Sequence, residues 1–172
     1  MDHNSFFFQA LIYLGAAVLF VPVAKKLGLD IDGILKPMPG GNPTIGAGLI
    51  GYFPVSMEED LFLERVKERM KTSVIRHTKL INRSIVRVAL CGGSGSFLIK
   101  EAIEAGVQAL VTADLKYHQF FDAEGQILIL DIGHYESEQY TVQLIQSLIS
   151  GNFPTFAAHC TGINTNPVQY FT

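Results

Sequence analysis

The stretch IVRVALCGGSGSFLIKEAIEAGVQALVTADLKYHQFFDAEGQILILD, residues 85–131, decides the fold. Its first part, Ile85–Cys91, is a run of apolar and largely β-branched residues that is typical of a buried strand. Helical spacing follows over Phe97–Ala105, and the strand pattern returns at Val107–Thr112 and at Ile127–Asp131. Parallel neighbours in a sheet need crossovers, and the intervening helix provides one. The chain is therefore predicted to be an α/β protein with a mostly parallel sheet and flanking helices.

Two further elements are predicted on either side of this stretch. A helix is expected from about Met57 to Met70, because Ser56 and Glu59 have the spacing of a capping box. Its apolar residues fall on one face, and they are Leu61, Phe62, Val66 and Met70. A last edge strand is expected over Phe156–Thr161.

A segment rich in glycine and proline, Gly28–Gly51, precedes these elements. Such residues interrupt any regular element longer than a few residues, so the segment is a natural boundary. We expect residues 1–35 to form an apolar helix and a linker, and residues 36–172 to form the α/β domain. A chain of 172 residues suits one domain with its own core, here preceded by the apolar helix.

Residues 6–24 form an apolar segment with a single strongly polar side chain, Gln9, and they end at Lys25 and Lys26. This length and these flanks fit a membrane helix, and they equally fit a hydrophobic helix buried against another domain or subunit. Residues 9–29 resemble the first membrane helix of glutathione-gated potassium efflux antiporters. That resemblance implies membrane association through residues 6–24.

Charge and cysteine content limit the classes of partner. The net charge is −3, from 13 basic and 16 acidic side chains, and no run of Lys or Arg forms a basic stripe. Nucleic acid is therefore not an expected partner. Cys91 and Cys160 lie far apart without metal-type spacing, so we expect buried thiols without a disulfide, in the reducing cytoplasm.

Polar residues follow each of the three predicted parallel strands at the point where the strand ends. They are Gly92–Ser96 after the first strand, Asp114 and His118 after the second, and Asp131, His134 and Glu138 after the third. In open sheets, ligands bind beyond the carboxyl ends of the strands. We therefore expect a functional site at this edge.

His134 and Glu138 are four residues apart at the start of a predicted helix, so both side chains can project from one face towards the same point. Imidazole nitrogen and carboxylate oxygen are the usual ligands of zinc, manganese or iron. The pair is a candidate site for such a divalent metal. The same spacing also fits a solvent-facing helical pair.

His118 and the glycine-rich loop are further candidates. His118 has the chemistry of a general acid or base, although it also fits a packing role. Gly92, Gly93, Ser94 and Gly95 offer backbone N–H groups ahead of a helix, which suits a phosphate or carboxylate ligand. The loop equally fits a tight turn that needs glycine for positive φ.

The chain contains five longer motifs in a fixed order: IGAGLIGYFP, VIRHTKL, VALCGGSGSFLIKEAIEAGVQALVTADLKYHQFFDAEGQ, LDIGHYESEQ and NTNPVQY. In this order they resemble the carboxyl-terminal half of Nif-three-like proteins, many of which are named type 2 GTP cyclohydrolase I. The resemblance extends from about Pro43 to Tyr170.

This resemblance implies two similar α/β halves that face each other across a site with two divalent metals, in ring-shaped hexamers. It implies that His134 and Glu138 are metal ligands, in a G-H-x-x-x-E motif, and that His118 lines the same pocket. The other ligands, a His-His pair and an Asp, come from the amino-terminal half in that family. This sequence has no His-His pair.

Three functions remain open at this point. The first is a metal-dependent hydrolase that acts on a nucleotide such as GTP, in which this chain provides part of the metal site. A partner chain or a homo-oligomer would then supply the missing half. The second is a non-catalytic, partner-binding module that keeps the fold, and the third is a membrane-tethered form that uses residues 6–24 as an anchor.

Overall fold

A computed structural model of the chain describes residues 20–171, which form a mixed sheet of six strands with helices on both faces. The strands are β1 (Asp30–Pro37), β2 (Gly46–Met57), β3 (Arg76–His77), β4 (Ile85–Ser94), β5 (Ala109–Ala113) and β6 (Leu128–Asp131). The helices are α1 (described over residues 20–27), α2 (Glu59–Met70), α3 (Ile99–Glu104), α4 (His134–Glu138) and α5 (Thr141–Asn152). Short 3-10 helices occupy Ser96–Leu98 and Tyr117–Ala123.

The sheet is mixed, so the prediction of a mostly parallel sheet was wrong. Its strand order is β1-β2-β4-β5-β6-β3, and only the pairs β4–β5 and β5–β6 are parallel. The pairs β1–β2, β2–β4 and β3–β6 are antiparallel. A short loop, residues 38–45, joins β1 to β2, and such a loop leaves no room for the crossover that a parallel pair requires.

The segment Gly28–Gly51 contains β1 and the first half of β2, contrary to the expectation that it would lack longer regular elements. Residues on both sides of position 35 belong to the same strand, β1. Glycine is required by packing in this hairpin, because a Cβ atom on Gly46 would lie 2.2 Å from the carbonyl oxygen of Lys36. The glycine content of this segment therefore reflects close packing of two strands and does not mark a linker.

Helix α1 packs into the core. Phe20, Val23, Ala24 and Leu27 are all buried, and their spacing places them on one face of the helix. Most of the predicted apolar segment, residues 6–19, lies outside the described residues. Between residues 20 and 171, no helix combines the length and the apolar character needed to span a membrane.

Alternate residues of the central strands enter two different hydrophobic clusters, as the pleat of a strand requires. Val88 and Leu90 of β4 face α1 and α2, whereas Ala89 and Cys91 face α3. The central strands are thus covered on both faces, which explains their continuous apolar sequence.

The predicted helix after residue 57 is present as α2, but two of its details were wrong. Ser56 still belongs to β2, and the N-cap residue is Glu58, which forms no side-chain capping hydrogen bond. Leu61 is 58% exposed, whereas Phe62, Val66 and Met70 are buried as expected. The edge strand predicted over residues 156–161 is also absent, because this part of the chain is irregular.

Glu59 takes a buried position at the start of α2 although it is charged. Its two carboxylate oxygens accept the backbone N–H groups of Ile81 and Asn82, at 2.8 and 2.9 Å. The carboxylate thereby holds the loop that leads into β4. A buried carboxylate is tolerated here because backbone donors satisfy both of its oxygens.

We expect Glu59→Gln to lower the free energy of unfolding by about 1.5–3 kcal/mol, because an amide NH₂ cannot accept one of these two hydrogen bonds. Urea unfolding measures the change. The matched control is Glu58→Gln, whose exposed carboxylate contacts Ser84 at 3.2 Å and should change stability by about 0.5 kcal/mol or less. Equal effects of the two substitutions would contradict the anchoring role of Glu59.

Candidate functional site

The carboxyl ends of β4, β5 and β6 meet at one edge of the sheet, because these three strands are parallel neighbours. As predicted, Gly93, Asp114 and His134 converge there. His134 lies between two acidic side chains at this edge.

The His134 imidazole contacts a carboxylate through each ring nitrogen. Its Nδ1 atom lies 2.5 Å from Asp114 Oδ2, and its Nε2 atom lies 3.3 Å from Glu138 Oε2. All three side chains are partly exposed, between 41% and 55%. His134 and Glu138 therefore lie side by side on one face of α4, with one side of the pair open to solvent.

Asp131 holds the two loops that carry this arrangement. Its buried carboxylate accepts the backbone N–H of Leu115 at 2.9 Å and that of Gly133 at 3.2 Å, and it forms an ion pair with Arg76. Leu115 follows Asp114, and Gly133 precedes His134. One carboxylate thus fixes the positions of both partners of the Asp114–His134 hydrogen bond.

Asp114 has a left-handed backbone, with φ of 57°. Aspartate tolerates this region better than most side chains do, although it remains uncommon outside glycine. The conformation places the carboxylate at Nδ1 of His134 instead of capping a regular helix, since the following 3-10 helix begins only at Tyr117.

The glycine-rich loop contributes its backbone to the site in a different way from the one predicted. Strand β4 continues through Ser94, and the Gly93 N–H donates to Ser137 Oγ at 2.9 Å rather than pointing into open space. Gly92 and Gly95 pack against other side chains, namely Phe20 and Thr112. Of the three loop glycines, Gly93 is the one that lies against the His134 and Glu138 side chains.

Gly93 also explains why the loop needs glycine. Its φ is +57°, and a Cβ atom there would lie 2.8 Å from Glu138 Oε1 and 3.2 Å from His134 Cε1. Any side chain at this position would press on both candidate metal ligands. The His134 and Glu138 side chains therefore pack directly against the Gly93 backbone.

The hydrogen bond that His134 donates to Asp114 raises the pKa of His134 above its ordinary value of 6.5. The negative charges of Glu138 and Asp114 raise this pKa further, against a smaller lowering by desolvation. In the neutral ring, the Nδ1 contact favours the tautomer that donates to Asp114, which leaves the Nε2 lone pair available to bind an ion.

His134 Nε2 and Glu138 Oε2 have the separation of two ligands of one ion. Ligand atoms about 2.0–2.2 Å from a tetrahedral ion are about 3.3–3.5 Å apart, and the observed distance is 3.3 Å. Within residues 20–171, however, no group of three or more His, Cys, Asp or Glu side chains is arranged to hold a metal. The pair fits one part of a metal site.

An open cleft of about 870 Å³ adjoins His134 and Glu138. Its far wall is the irregular carboxyl-terminal part of the chain, which is held by a hydrogen bond of 3.2 Å from Asn166 Nδ2 to Glu136 Oε1. Burial raises the pKa of Tyr170, and the charges of Glu136 and Asp131 raise it further. The Tyr170 hydroxyl is thus protonated beside the acidic side of the cleft.

One sequence candidate, His118, lies away from this cleft. His118 is exposed on the 3-10 helix Tyr117–Ala123 and does not line the cleft, so its role in proton transfer stays a prediction.

Burial raises the pKa of Cys91 to about 12, which keeps its thiol protonated. Cys160 is exposed, contrary to the expectation that both thiols are buried, and both cysteines are free.

Sequence reasoning missed four residues that build the site: Arg76, Ser137, Asn166 and Tyr170. Arg76 comes from the short strand β3, far from the other residues in sequence. All four lie in motifs quoted above, VIRHTKL, LDIGHYESEQ and NTNPVQY, and those motifs were the available signal.

A family model matches most of the described chain. The model, described as Duf34/NIF3 (NGG1p interacting factor 3), matches residues 19–167. The chain belongs to this family. The resemblance of residues 9–29 to an antiporter helix is not supported, because the second half of that segment, from residue 19, falls within the Duf34/NIF3 match.

Curated Duf34/NIF3 relatives carry the name GTP cyclohydrolase 1 type 2 homolog. One from Staphylococcus epidermidis is 33% identical over 133 residues, which cover 73% of this chain and 35% of that protein. One from Clostridium acetobutylicum is 30% identical over 144 residues, which cover 83% of this chain and 52% of that protein. The chain thus spans a third to a half of the length of these relatives.

Solved structures show the same fold. A Bacillus cereus protein related to NIF3 has a TM-score of 0.70 and 27% identity, over 78% of this chain and 38% of that chain. A Staphylococcus aureus hypothetical protein has a TM-score of 0.79 and 22% identity, over 89% of this chain and 64% of that chain. At this identity the second likeness concerns the fold alone.

We expect Asp114→Asn to lower the pKa of His134 in the metal-free protein, because the amide removes the charge and weakens the strongest hydrogen bond to the imidazolium. NMR titration of the His134 ring measures it. Since the folded pKa is raised, His134 stabilises the fold fully below pH 6.5, and this contribution disappears as the pH rises through the folded pKa. Asp122→Asn, on an exposed residue of the 3-10 helix, should leave the His134 midpoint unchanged.

Gly93→Ala should displace the Glu138 carboxylate and destabilise the fold by about 1–2 kcal/mol from positive φ, with a further loss from the clash. Gly125→Ala is the matched control, since Gly125 has φ of +68° with nothing within 4 Å of a Cβ. Urea unfolding of both variants separates the two contributions. Equal losses of stability would mean that a methyl group at position 93 does not clash with the site.

Proposed function

We propose that this chain supplies half of a divalent-metal site of a metal-dependent hydrolase. In this proposal His134 and Glu138 hold one ion of zinc, manganese or iron, and the remaining ligands come from a partner chain, a second copy or further sequence. The observation that carries the proposal is the placement of His134 Nε2 and Glu138 Oε2 at 3.3 Å, with Asp114 on the opposite ring nitrogen.

The residues around the pair prepare it for this role. Asp114 orients the imidazole and increases its basicity at Nε2, as carboxylates behind metal-binding histidines commonly do. Asp131 fixes the positions of both loops, and Gly93 leaves room for the two ligand side chains. A bound divalent ion would act as a Lewis acid and lower the pKa of a water molecule.

The proposed substrate class is a nucleotide such as GTP, bound in the cleft beside His134. This proposal rests on the name that the relatives carry, GTP cyclohydrolase 1 type 2 homolog, and on the size of the cleft. We further propose His118 as the group that shuttles a proton, and an oligomer in the cytoplasm as the working form. The chain spans only part of its relatives, so these statements concern the assembled protein.

A second candidate function is a non-catalytic module that keeps the family fold and binds a partner protein. It is favoured by one observation, which is that the described residues offer two adjacent ligands and no third one. Two ligands bind an ion weakly unless other donors complete its coordination. Metal content and turnover separate the two functions.

We expect calorimetric titration of the chain with zinc and with manganese to give at most one weak site, and we expect His134→Ala or Glu138→Gln to abolish it. Asp114→Asn should weaken it by about tenfold to a hundredfold, because Asp114 orients the ligand without binding the ion. The matched control, His159→Ala, changes an exposed histidine outside the cleft lining and should leave binding intact.

Three results would contradict the metal-site proposal. The first is unchanged binding in His134→Ala, which would place the ion elsewhere. The second is an absence of binding even when a complementary half is present. The third is loss of the folded state in His134→Ala, read by circular dichroism, which would make His134 a structural residue.

We expect this chain alone to hydrolyse GTP poorly or not at all, because two ions held about 3.5–4 Å apart need more ligands than His134 and Glu138 provide. In an assembly that does turn over, His118→Gln should lower kcat while metal content stays constant. Robust turnover by the isolated chain would show that its site is complete. Unchanged kcat in His118→Gln would remove His118 from the mechanism.

A further inference from the structure

Glu136 differs from the two other buried carboxylates in the part of the chain that the structure describes. Each oxygen of Glu59 accepts a backbone N–H, and Asp131 accepts two backbone N–H groups and pairs with Arg76. The Glu136 carboxylate, on a residue that is only 7% exposed, accepts one hydrogen bond, from Asn166 Nδ2 to Oε1 at 3.2 Å. Within residues 20–171 it forms no ion pair. Buried carboxylates normally have more donors than this, so the position of Glu136 requires an explanation.

The Glu136 carboxylate is open to the cleft. Glu136 lies on α4, two residues after His134, and it lines the same cleft. Between residues 20 and 171, the side-chain oxygen that is sealed from solvent without a donor belongs to Glu101, so Oε2 of Glu136 is accessible. A carboxylate can accept about four hydrogen bonds through its two oxygens, and Asn166 supplies one of them. Glu136 can therefore accept further N–H donors from a ligand in the cleft.

An aromatic ring lies beside this carboxylate. Tyr170 lines the cleft and is 40% exposed. Both side chains reach Gly133, because a Cβ atom there would lie 2.3 Å from Glu136 Oε2 and 3.2 Å from the Tyr170 hydroxyl oxygen. A partly exposed ring next to a strong acceptor suits a flat heterocycle, which can stack on the ring and donate hydrogen bonds through its edge.

We propose that Glu136 selects guanine as the base of the bound nucleotide, a statement that rests on the nucleotide substrate class proposed above. Guanine presents two adjacent donors, N1–H and the N2 amino group, and a carboxylate can accept both. Hypoxanthine has N1–H without the amino group. Adenine presents an acceptor at N1, which would face the carboxylate and be repelled. Glu136 is thus a specificity-determining residue, and Tyr170 provides a stacking surface for any base.

Binding of four nucleoside monophosphates tests the proposal, measured by NMR titration of the full chain with a metal chelator present. The monophosphates of guanosine, inosine, adenosine and xanthosine share the sugar and the phosphate, so differences in affinity report the base. Glu136→Gln is the informative variant, because its amide oxygen can still accept from Asn166 while its NH₂ group replaces an acceptor with a donor. Glu104→Gln is the matched control, on an exposed carboxylate outside the cleft lining.

We expect the unmodified chain to bind guanosine monophosphate about tenfold or more tightly than inosine monophosphate, and adenosine monophosphate most weakly, because each loses hydrogen bonds to a charged group. Glu136→Gln should weaken guanosine monophosphate by about tenfold or more and strengthen xanthosine monophosphate, whose C2 carbonyl accepts from the new amide. Glu104→Gln should leave the order unchanged. Tyr170→Leu should weaken all four by a similar factor, since stacking does not distinguish these bases.

Equal affinity of the unmodified chain for the four monophosphates would overturn the proposal alone, because a nucleotide would bind without its base being read. Unchanged affinities in Glu136→Gln would also overturn it. Binding of none of the four would contradict the nucleotide substrate class as well. The chelator keeps these results independent of the metal site, and the comparison on the unmodified chain remains decisive if Glu136→Gln fails to fold.

Discussion

The buried carboxylate of Asp131 is the constraint on which the rest of the site depends. It satisfies one backbone N–H after β5 and another after β6, and it neutralises Arg76 from β3. Three separate segments of the chain are thereby fixed relative to one charge. A buried carboxylate without these donors would be strongly unfavourable, so charge and backbone geometry support each other.

The strained backbone at this edge follows from the same constraint. Asp114 and Gly93 both have left-handed φ values, of 57°, and each lies beside the His134 ring or the Glu138 carboxylate. Such conformations persist only where the surrounding contacts fix them, and they are concentrated at functional sites. Here the two parallel strand pairs and the Asp131 hydrogen bonds supply those contacts.

The sequence allowed the central part of the fold and the core of the site to be predicted, because both depend on local patterns. The alternation over residues 85–131 and the four-residue spacing of His134 and Glu138 are visible without a structure. The hairpin in Gly28–Gly51 was not predictable in this way, since partner strands rather than propensity give it its regular form. Arg76 was missed for a related reason: its role appears only when β3 pairs with β6.

The position of β3 has a consequence for the order of events during folding. Arg76 and Asp131 are separated by 55 residues, so their ion pair requires closure of a long loop. Contacts between distant residues form late, because the chain loses loop entropy before they can stabilise it. We expect the helices and the β4–β5–β6 unit to assemble first and the site to mature last. A folding intermediate would then have the sheet without the means to orient His134.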